Sequence, residues 1–102
     1  MPAGLAAKAL AMKLHFPNPS RSFDESHHRV LFWGYDDAIE VSFFVEAEAL
    51  KLLYPKMDNN EAGFLKAFDA TRDKIYGVAN KCYLRGGRGK GTYAYVLAAE
   101  HF

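Results

Sequence analysis

The chain is nearly devoid of cysteine, since Cys82 is the only one in 102 residues. A single thiol cannot close an intramolecular disulfide, nor can it supply the thiolates of a structural zinc cluster. A fold without disulfides fits a reducing compartment, so we expect a cytoplasmic protein. Its stability must then come from buried apolar side chains, for which an aromatic content of 15% is a rich supply.

A surplus of charge of one sign is also missing. The 13 Lys and Arg residues against 12 Asp and Glu residues leave a formal net charge of +1. A dedicated nucleic-acid-binding protein carries a broad positive field, which this balance does not supply. A local basic patch is still compatible with this near-neutral net charge.

Long apolar runs are absent as well. The opening segment, MPAGLAAKALAM, is small and apolar, but Lys8 interrupts it and no basic residue precedes that lysine. It therefore lacks the basic start of a signal peptide, and no stretch is long enough to span a bilayer. We interpret residues 1–12 as an N-terminal extension and residues 13–102 as a single domain, and we expect no membrane partner.

Alternating residues predict a β-hairpin between residues 28 and 45. In the first strand, Val30 and Phe32 share one face, whereas Leu31 and Trp33 share the other. Residues 34–37 have turn chemistry, because glycine supplies a positive φ and aspartate bonds to its own backbone. The second strand places Phe44 on one face and three residues on the opposite face: Ile39, Val41 and Phe43.

Two helices are predicted after the hairpin. Good helix formers favour a short helix over residues 46–53, which Pro55 ends. Asp58 stands three residues before Glu61, the spacing of a capping box. Apolar residues then recur at three- and four-residue steps and predict one helix of about six turns, in which Gly77 marks a close packing contact or a slight bend. The stripe consists of Phe64, Phe68, Thr71, Ile75, Val78, Ala79 and Cys82.

The remaining segments complete an α+β domain. Residues 13–16 and 21–23 predict short strands on either side of a proline-containing break, and residues 92–98 predict a closing strand. Strands grouped ahead of helices indicate α+β rather than a parallel α/β sheet. We expect a small, mostly antiparallel sheet, built from the N-terminal strands, the hairpin and the C-terminal strand. The long helix and the short helix should cover one face of it.

A basic, glycine-rich loop is the first candidate site. Arg85, Arg88 and Lys90 place three cations within residues 85–91, and tyrosines flank them. Proteins that bind single-stranded nucleic acid combine basic groups with aromatic rings in this way. The same composition is typical of a solvated connector, which we favour. The spacing of a phosphate-binding P-loop is absent.

An apolar face is the second candidate site. If the helices cover the face of Val30 and Phe32, then Leu31, Trp33 and Phe44 lie on the other face. A large apolar patch on a small sheet marks a partner surface, unless the N-terminal segment or the short helix covers it. We therefore predict a homo-oligomer, a dimer, that uses these three residues.

Catalytic and metal sites have little support. The adjacent His27 and His28 point to opposite faces of a strand, so they cannot easily chelate one metal. Acidic residues between positions 36 and 48 are typical of turns and helix starts, and Cys82 lies on the apolar stripe as a small hydrophobe. We predict no catalytic residue, no metal and no cofactor. A weaker, enzymatic hypothesis assembles a site from three charged residues: Arg21, Asp24 and Arg72.

Several short strings carry a resemblance to a known family. They are FPNPSRSFD at residues 16–24, VLFWG at 30–34 and FFVEA at 43–47, followed by matching residues within 67–75 and 95–102. As a set they resemble a family of short bacterial proteins known as domain of unknown function 1488. The resemblance runs from Leu14 to Phe102, and the glycine loop is longer than expected for the family. It implies a small α+β cytosolic protein and carries over no functional residue.

These observations lead to two expectations of function. The first is a non-enzymatic interaction or accessory domain that self-associates through its sheet. The alternative is a nucleic-acid-binding or regulatory module that uses the loop at residues 85–91.

Overall fold

The computed structural model describes residues 13–86 and 94–102. Four strands form one sheet: β1 (Arg21–Asp24), β2 (Arg29–Asp36), β3 (Ile39–Glu46) and β4 (Ala94–Leu97). Three helices lie between β3 and β4 in the chain: α1 (Ala47–Leu53), α2 (Glu61–Ala70) and α3 (Arg72–Leu84). A 3-10 turn at Ala99–His101 follows β4. None of the helices within the described ranges is long and apolar enough to cross a membrane.

The strands are ordered β1-β2-β3-β4 across the sheet. Neighbours β1 and β2 are antiparallel, as are β2 and β3, whereas β4 runs parallel to β3. A parallel neighbour can be reached only by a crossover connection, and the three helices provide it. The predicted α+β class with a mostly antiparallel sheet is confirmed.

The predicted hairpin is confirmed, although its turn lies further along the chain than expected. β2 continues through Gly34 to Asp36, and only Asp37 and Ala38 separate it from β3. Asp37 adopts a left-handed φ of 56°, which aspartate tolerates better than most residues. The predicted strand at residues 13–16 is reduced to a single bridge, in which His15 exchanges two backbone hydrogen bonds with Tyr35.

The prediction of one uninterrupted long helix is wrong, because the helix is divided at Thr71. This residue leaves helical geometry with a φ of −125°, and its Oγ1 donates to the carbonyl oxygen of Ala67 at 2.7 Å. A side chain that bonds to the preceding turn is a common cause of a helix break. The apolar stripe nevertheless continues across it, since Phe68 and Ile75 are both fully buried.

The start of α2 also differs from the prediction. Asn60, and not Asp58, is the N-cap: its Oδ1 accepts the backbone N–H of Gly63 at 2.7 Å. The backbone of Asp58 instead lies against Gly63, where a Cβ would fall 2.1 Å from the Asp58 carbonyl oxygen. Only glycine fits at that distance.

One face of the sheet packs on the helices and forms the core. The inward strand residues are buried: Val30, Phe32, Val41, Phe43, Val45, Tyr95 and Leu97. They share one apolar cluster with Leu50, Phe64, Phe68, Ile75, Ala79 and Cys82 from the helices. The Phe32 ring lies centrally, with its centroid 5.3 Å from that of Phe43 and 5.1 Å from that of Phe68. The predicted faces are confirmed except at Ile39, which is 63% exposed beside the turn.

Gly34 and Gly77 have opposite surroundings. A Cβ on Gly34 would lie 2.6 Å from the ring of Phe16, which is itself held in a stack on Tyr76 with 4.0 Å between centroids. A Cβ on Gly77, within α3, would meet no atom within 4 Å. Of the two alternatives predicted at Gly77, the close packing contact is therefore wrong, whereas Gly34, like Gly63, is required by a close approach.

The substitution Phe68→Ala tests the core. It removes a fully buried ring that packs on Phe32, so we expect the free energy of unfolding to fall by about 3–5 kcal/mol. Such a loss is a large share of the stability of a small domain. Denaturant titration measures it, and a loss below about 1 kcal/mol would mean that the ring lies outside the core.

The same change at the two glycines should have effects of opposite sign. Gly34→Ala forces the Phe16 ring aside and should destabilise the fold by about 1–3 kcal/mol. Gly77→Ala adds a methyl group in open space on a helix and should stabilise the fold by up to about 1 kcal/mol. Thermal and denaturant unfolding of both variants provide the comparison. Shifts of the same sign would contradict the placement of Phe16.

Candidate functional site

The outer face of the sheet, opposite the helices, contains all three residues of the predicted interface. Leu31 lies directly opposite Phe44, and Phe44 lies opposite Val96, so one apolar row crosses three strands. Trp33 lies in the next row, opposite Ser42. Val96 is 38% exposed, and the other apolar residues of the face are half-buried. The structure thus gathers Leu31, Trp33 and Phe44 into one surface, which we call the outer face.

The short helix does not cover the outer face. In α1, Ala49 and Leu50 are fully buried in the core cluster on the other side of the sheet. The N-terminal segment was the other candidate to cover this face, and its residues 1–12 lie outside the described residues. The buried residues of α2 and α3 also belong to the inner cluster.

A charged row borders the apolar row at one end. Arg29 lies opposite Glu46, and its guanidinium carbon is 3.6 Å from the centroid of the Phe44 ring. Such a stack of a cation on an aromatic face is attractive. Nε of Arg29 also donates to Asp24 at 2.9 Å. This hydrogen bond, with a smaller effect from His27, holds the pKa of Asp24 below its ordinary value.

The other end of the outer face carries a tyrosine and a carboxylate. The Tyr35 hydroxyl donates to Glu40 at 2.8 Å, and this bond raises the pKa of Tyr35.

The remaining acidic residues near the hairpin stabilise the local structure. Asp36 accepts a hydrogen bond from the Tyr83 hydroxyl at 2.6 Å, and Asp37 lies in the turn. No pair of free carboxylates suited to acid–base chemistry is formed by these described residues.

The enzymatic hypothesis named Arg21, Asp24 and Arg72, and only the two arginines come together. Arg21 binds Asp69 through two hydrogen bonds of 3.0 and 2.8 Å, and Arg72 donates to the same carboxylate at 2.6 Å. Asp24 lies at the other end of β1. Two guanidinium groups on one carboxylate connect β1, α2 and α3, which makes this cluster a structural clamp.

The histidines and the cysteine considered in the sequence analysis do not come together into one site. Nδ1 of His27 lies 3.0 Å from Asp24, whereas His28 closes the β1–β2 turn with a left-handed φ of 50°. In the part of the chain that the structure describes, no three His, Cys, Asp or Glu residues are placed to hold a metal ion. Cys82 is buried as predicted, and desolvation raises the pKa of its thiol.

The basic loop lies mostly beyond the described ranges. Arg85 is exposed at the C-terminus of α3, with its N–H bonded to the carbonyl oxygen of Lys81, and Gly86 follows with a φ of 65°. Glycine in a left-handed conformation is a common helix terminator. Arg88 and Lys90 lie outside the described residues.

Sequence reasoning missed three members of the outer face: Arg29, Glu46 and Val96. Their signal was present: the alternation that assigns Leu31 and Phe44 to this face also assigns Arg29 and Glu46, two positions away, and Val96 alternates with Tyr95 and Leu97. The cross-strand contacts needed the pairing register, which only the structure supplies.

The clamp around Asp69 predicts a specific response to acid. Partial burial raises the pKa of Asp69, but hydrogen bonds from Arg21 and Arg72 outweigh burial, so the pKa lies below its ordinary value. A carboxyl with a depressed folded-state pKa stabilises the fold above the unfolded-state pKa, and this contribution is lost as the pH falls through the folded-state pKa.

We therefore expect Asp69→Asn to weaken the fall in stability below about pH 4. Urea midpoints measured across this range for the wild type and the variant provide the test. Asp73→Asn, an exposed carboxyl outside the clamp, is the matched control. An unchanged acid dependence in Asp69→Asn would show that the two arginines do not stabilise this carboxylate.

Comparisons with known proteins agree with the fold and with the resemblance noted in the sequence. No functionally curated protein matches the chain. A crystal structure of a protein of unknown function from the DUF1488 family of Shewanella loihica PV-4 is similar, with a TM-score of 0.73 and 16% identity. The similarity covers 85% of this chain and 94% of that one, and at this identity it shows a shared fold. The family described as "Protein of unknown function (DUF1488)" matches residues 14–96, so the chain belongs to the DUF1488 family.

Proposed function

We propose that this protein is an interaction domain that forms a homodimer through the outer face of its sheet. The observation that carries the proposal is the register of the two central strands. On the outer face, β2 and β3 pair Arg29 with Glu46, Leu31 with Phe44, and Tyr35 with Glu40. Each of these three pairs joins chemically complementary side chains: a cation with an anion, two apolar groups, and a hydroxyl donor with a carboxylate. The fourth outward pair, Trp33 with Ser42, joins a large ring with a small polar side chain.

This register makes the outer face complementary to itself. Consider a two-fold axis that is parallel to the strands and runs between β2 and β3 of two stacked sheets. The rotation exchanges the two strands, so each outward residue faces the second copy of its own cross-strand neighbour. Arg29 then faces Glu46, and Leu31 faces Phe44, each contact occurring twice. A two-fold interface needs this kind of self-complementarity, and aligned packing of two sheets is a common arrangement.

The size of the outer face suits a weak dimer. The two central strands have 8 residues each, and the two edge strands have 4 residues each. At the usual rise and strand spacing, each copy offers about 380 Å², and the dimer would bury about 760 Å² in total. This total lies below that of standard interfaces, so we expect a weak, reversible dimer with a dissociation constant in the micromolar range.

The charge of the outer face favours a second copy over a nucleic-acid strand. The groups charged at neutral pH that the described strands turn outward are one guanidinium and three carboxylates: Arg29, Asp24, Glu40 and Glu46. A half-buried ring such as that of Trp33 can present an edge or a face to a base, but an acidic surface repels phosphate groups. A second copy carries the same excess of carboxylates, but the two-fold arrangement places its Arg29 against Glu46, which a phosphate backbone cannot do.

Sedimentation equilibrium between about 1 and 200 µM tests the proposal. We expect a reversible dimer for the wild type. Trp33→Glu places a carboxylate within the outer face and should weaken association at least about tenfold. Val96→Glu alters the same face at a more exposed position and should act in the same direction even if Trp33→Glu fails to fold. Leu52→Glu makes the equivalent change at a 57% exposed position on α1, away from the face, and is the matched control.

A wild-type protein that stays monomeric across this range contradicts the proposal, as does an equal effect of Leu52→Glu. The alternative function has its own signature. It requires that a short single-stranded oligonucleotide binds the wild type with an affinity that falls steeply with salt. It also requires that a triple Arg85/Arg88/Lys90→Ala variant loses this binding.

A further inference from the structure

An open groove of about 920 Å³ lies along one side of α3, apart from the outer face. Its walls come from the N-terminal segment at residues 14–16, from α3, and from the C-terminal residues 101–102, with Leu53 of α1 nearby. These segments are distant in the sequence, so no local pattern predicts the groove. Its volume lies within the range of small-molecule sites.

The walls of the groove are held firmly by contacts behind them. The backbone N–H groups of Lys13 and Leu14 donate to Oδ1 of Asn80 at 2.9 and 3.1 Å. Asn80 is only 3% exposed, so its amide fixes the N-terminal segment against α3 from within. The stacked rings of Phe16 and Tyr76, inclined by 5°, continue this wall. A groove formed before binding requires little ordering when a ligand enters.

Gly77 provides open space within the groove. A glycine inside a helix costs about 1 kcal/mol relative to alanine. The usual structural reason, a close neighbour, is absent among the described residues, because a Cβ at Gly77 would meet no atom within 4 Å. The effect of the glycine is therefore to leave this part of the groove free of side chain.

The groove combines an apolar lining with a cationic rim. Phe16, Leu53, Val78 and Phe102 contribute apolar surface. Lys74 and Lys81 lie on the rim, three residues before and four residues after Gly77, which places both on the same side of the helix. Both lysines are exposed, and among residues 13–86 and 94–102 neither enters an ion pair.

Two histidines add hydrogen-bond donors to this rim. His15 and His101 line the groove, and Nδ1 of His101 accepts the backbone N–H of Ala98 at 2.8 Å. The neutral His101 ring therefore carries its proton on Nε2, which is a donor. Asp73 is the one acidic side chain among the lining residues, against the two lysines.

We propose that this groove binds a small amphipathic anion, a carboxylate joined to an apolar body. The apolar body lies over Gly77 between the rings of Phe16 and Phe102, and the carboxylate lies at Lys74 and Lys81. Burial of an apolar chain provides the affinity, and the two ammonium groups select the sign of charge. This site is independent of the homodimer proposed above.

Decanoate is a suitable probe below its micellar concentration, with decyltrimethylammonium as the cation of equal chain length. Titration of the ¹⁵N-labelled full chain should give saturable amide shifts at Gly77 and Phe102 with decanoate. The cationic probe should bind at least about tenfold more weakly. Lys81→Glu should reduce decanoate affinity severalfold, whereas Lys66→Glu, an exposed lysine on α2 outside the groove, should not.

Variants at Gly77 test the location of the site directly. Gly77→Leu fills the groove at a position where the backbone has room, and it should lower decanoate affinity at least about tenfold while the fold is retained. Gly77→Ala adds one methyl group and is the matched control, with an affinity within about threefold of the wild type. Trp33→Glu should leave decanoate binding unchanged, which separates the groove from the outer face.

Four results of the titrations would overturn the proposal. They are the absence of saturable shifts, equal affinity for the anionic and cationic probes, shifts centred on Leu31 and Trp33, and retention of binding in Gly77→Leu. Nuclear Overhauser contacts between Leu5 or Leu10 and Gly77 in the free protein would also overturn it, because the chain itself would then occupy the groove.

Discussion

A four-stranded sheet whose helices pack on one face only is the constraint on which the rest of the structure depends. The rings of Phe32 and Phe43 meet Phe68 and the other helical residues on the inner face, and these contacts bury the core. A sheet alternates its side chains between faces, so a packed inner face necessarily creates an outer face of comparable size. In this protein the outer face carries an apolar row and not a uniformly polar surface.

Polar contacts fix the helices and the N-terminal segment to this core. Asp69 binds arginines from β1 and α3, and the buried amide of Asn80 holds the backbone at Lys13 and Leu14. The groove beside α3 exists because the second of these contacts places Leu14, His15 and Phe16 alongside the helix. The two candidate surfaces therefore arise from different parts of the same packing: one from the sheet face opposite the described helices, the other from the edge of a helix.

Local periodicity was sufficient for the hairpin and for most of the buried faces. A period of two residues assigned Val30 and Phe32 to the core and Leu31 and Trp33 to the outer face, because each strand position has only two orientations. The same reasoning located Phe64, Phe68 and Ile75 on the buried side of the helices. The three central residues of the proposed interface followed directly from this alternation.

Most of the errors arose where the structure at a residue depends on a distant neighbour. Gly34 was interpreted as a turn glycine. In the structure, the Phe16 ring, 18 positions earlier in the chain, occupies the space that a side chain at position 34 would need. The parallel direction of β4 and the pairing of Arg29 with Glu46 depend on contacts between strands, which alternation along one strand does not encode. The break at Thr71 depends on a single hydrogen bond to the preceding turn. The groove needs three separate segments and had no sequence signal beyond an unexplained glycine.

The most direct test of the central claim is an isotope-filtered nuclear Overhauser experiment on a mixture of labelled and unlabelled protein at a concentration where dimer predominates. Because β2 of one copy stacks on β3 of the other, cross-peaks should connect the Leu31 methyl groups of one molecule with the Phe44 ring of its partner. Cross-peaks that arise only from helical residues such as Leu52 or Val78, or none at all, would contradict dimerisation through the outer face.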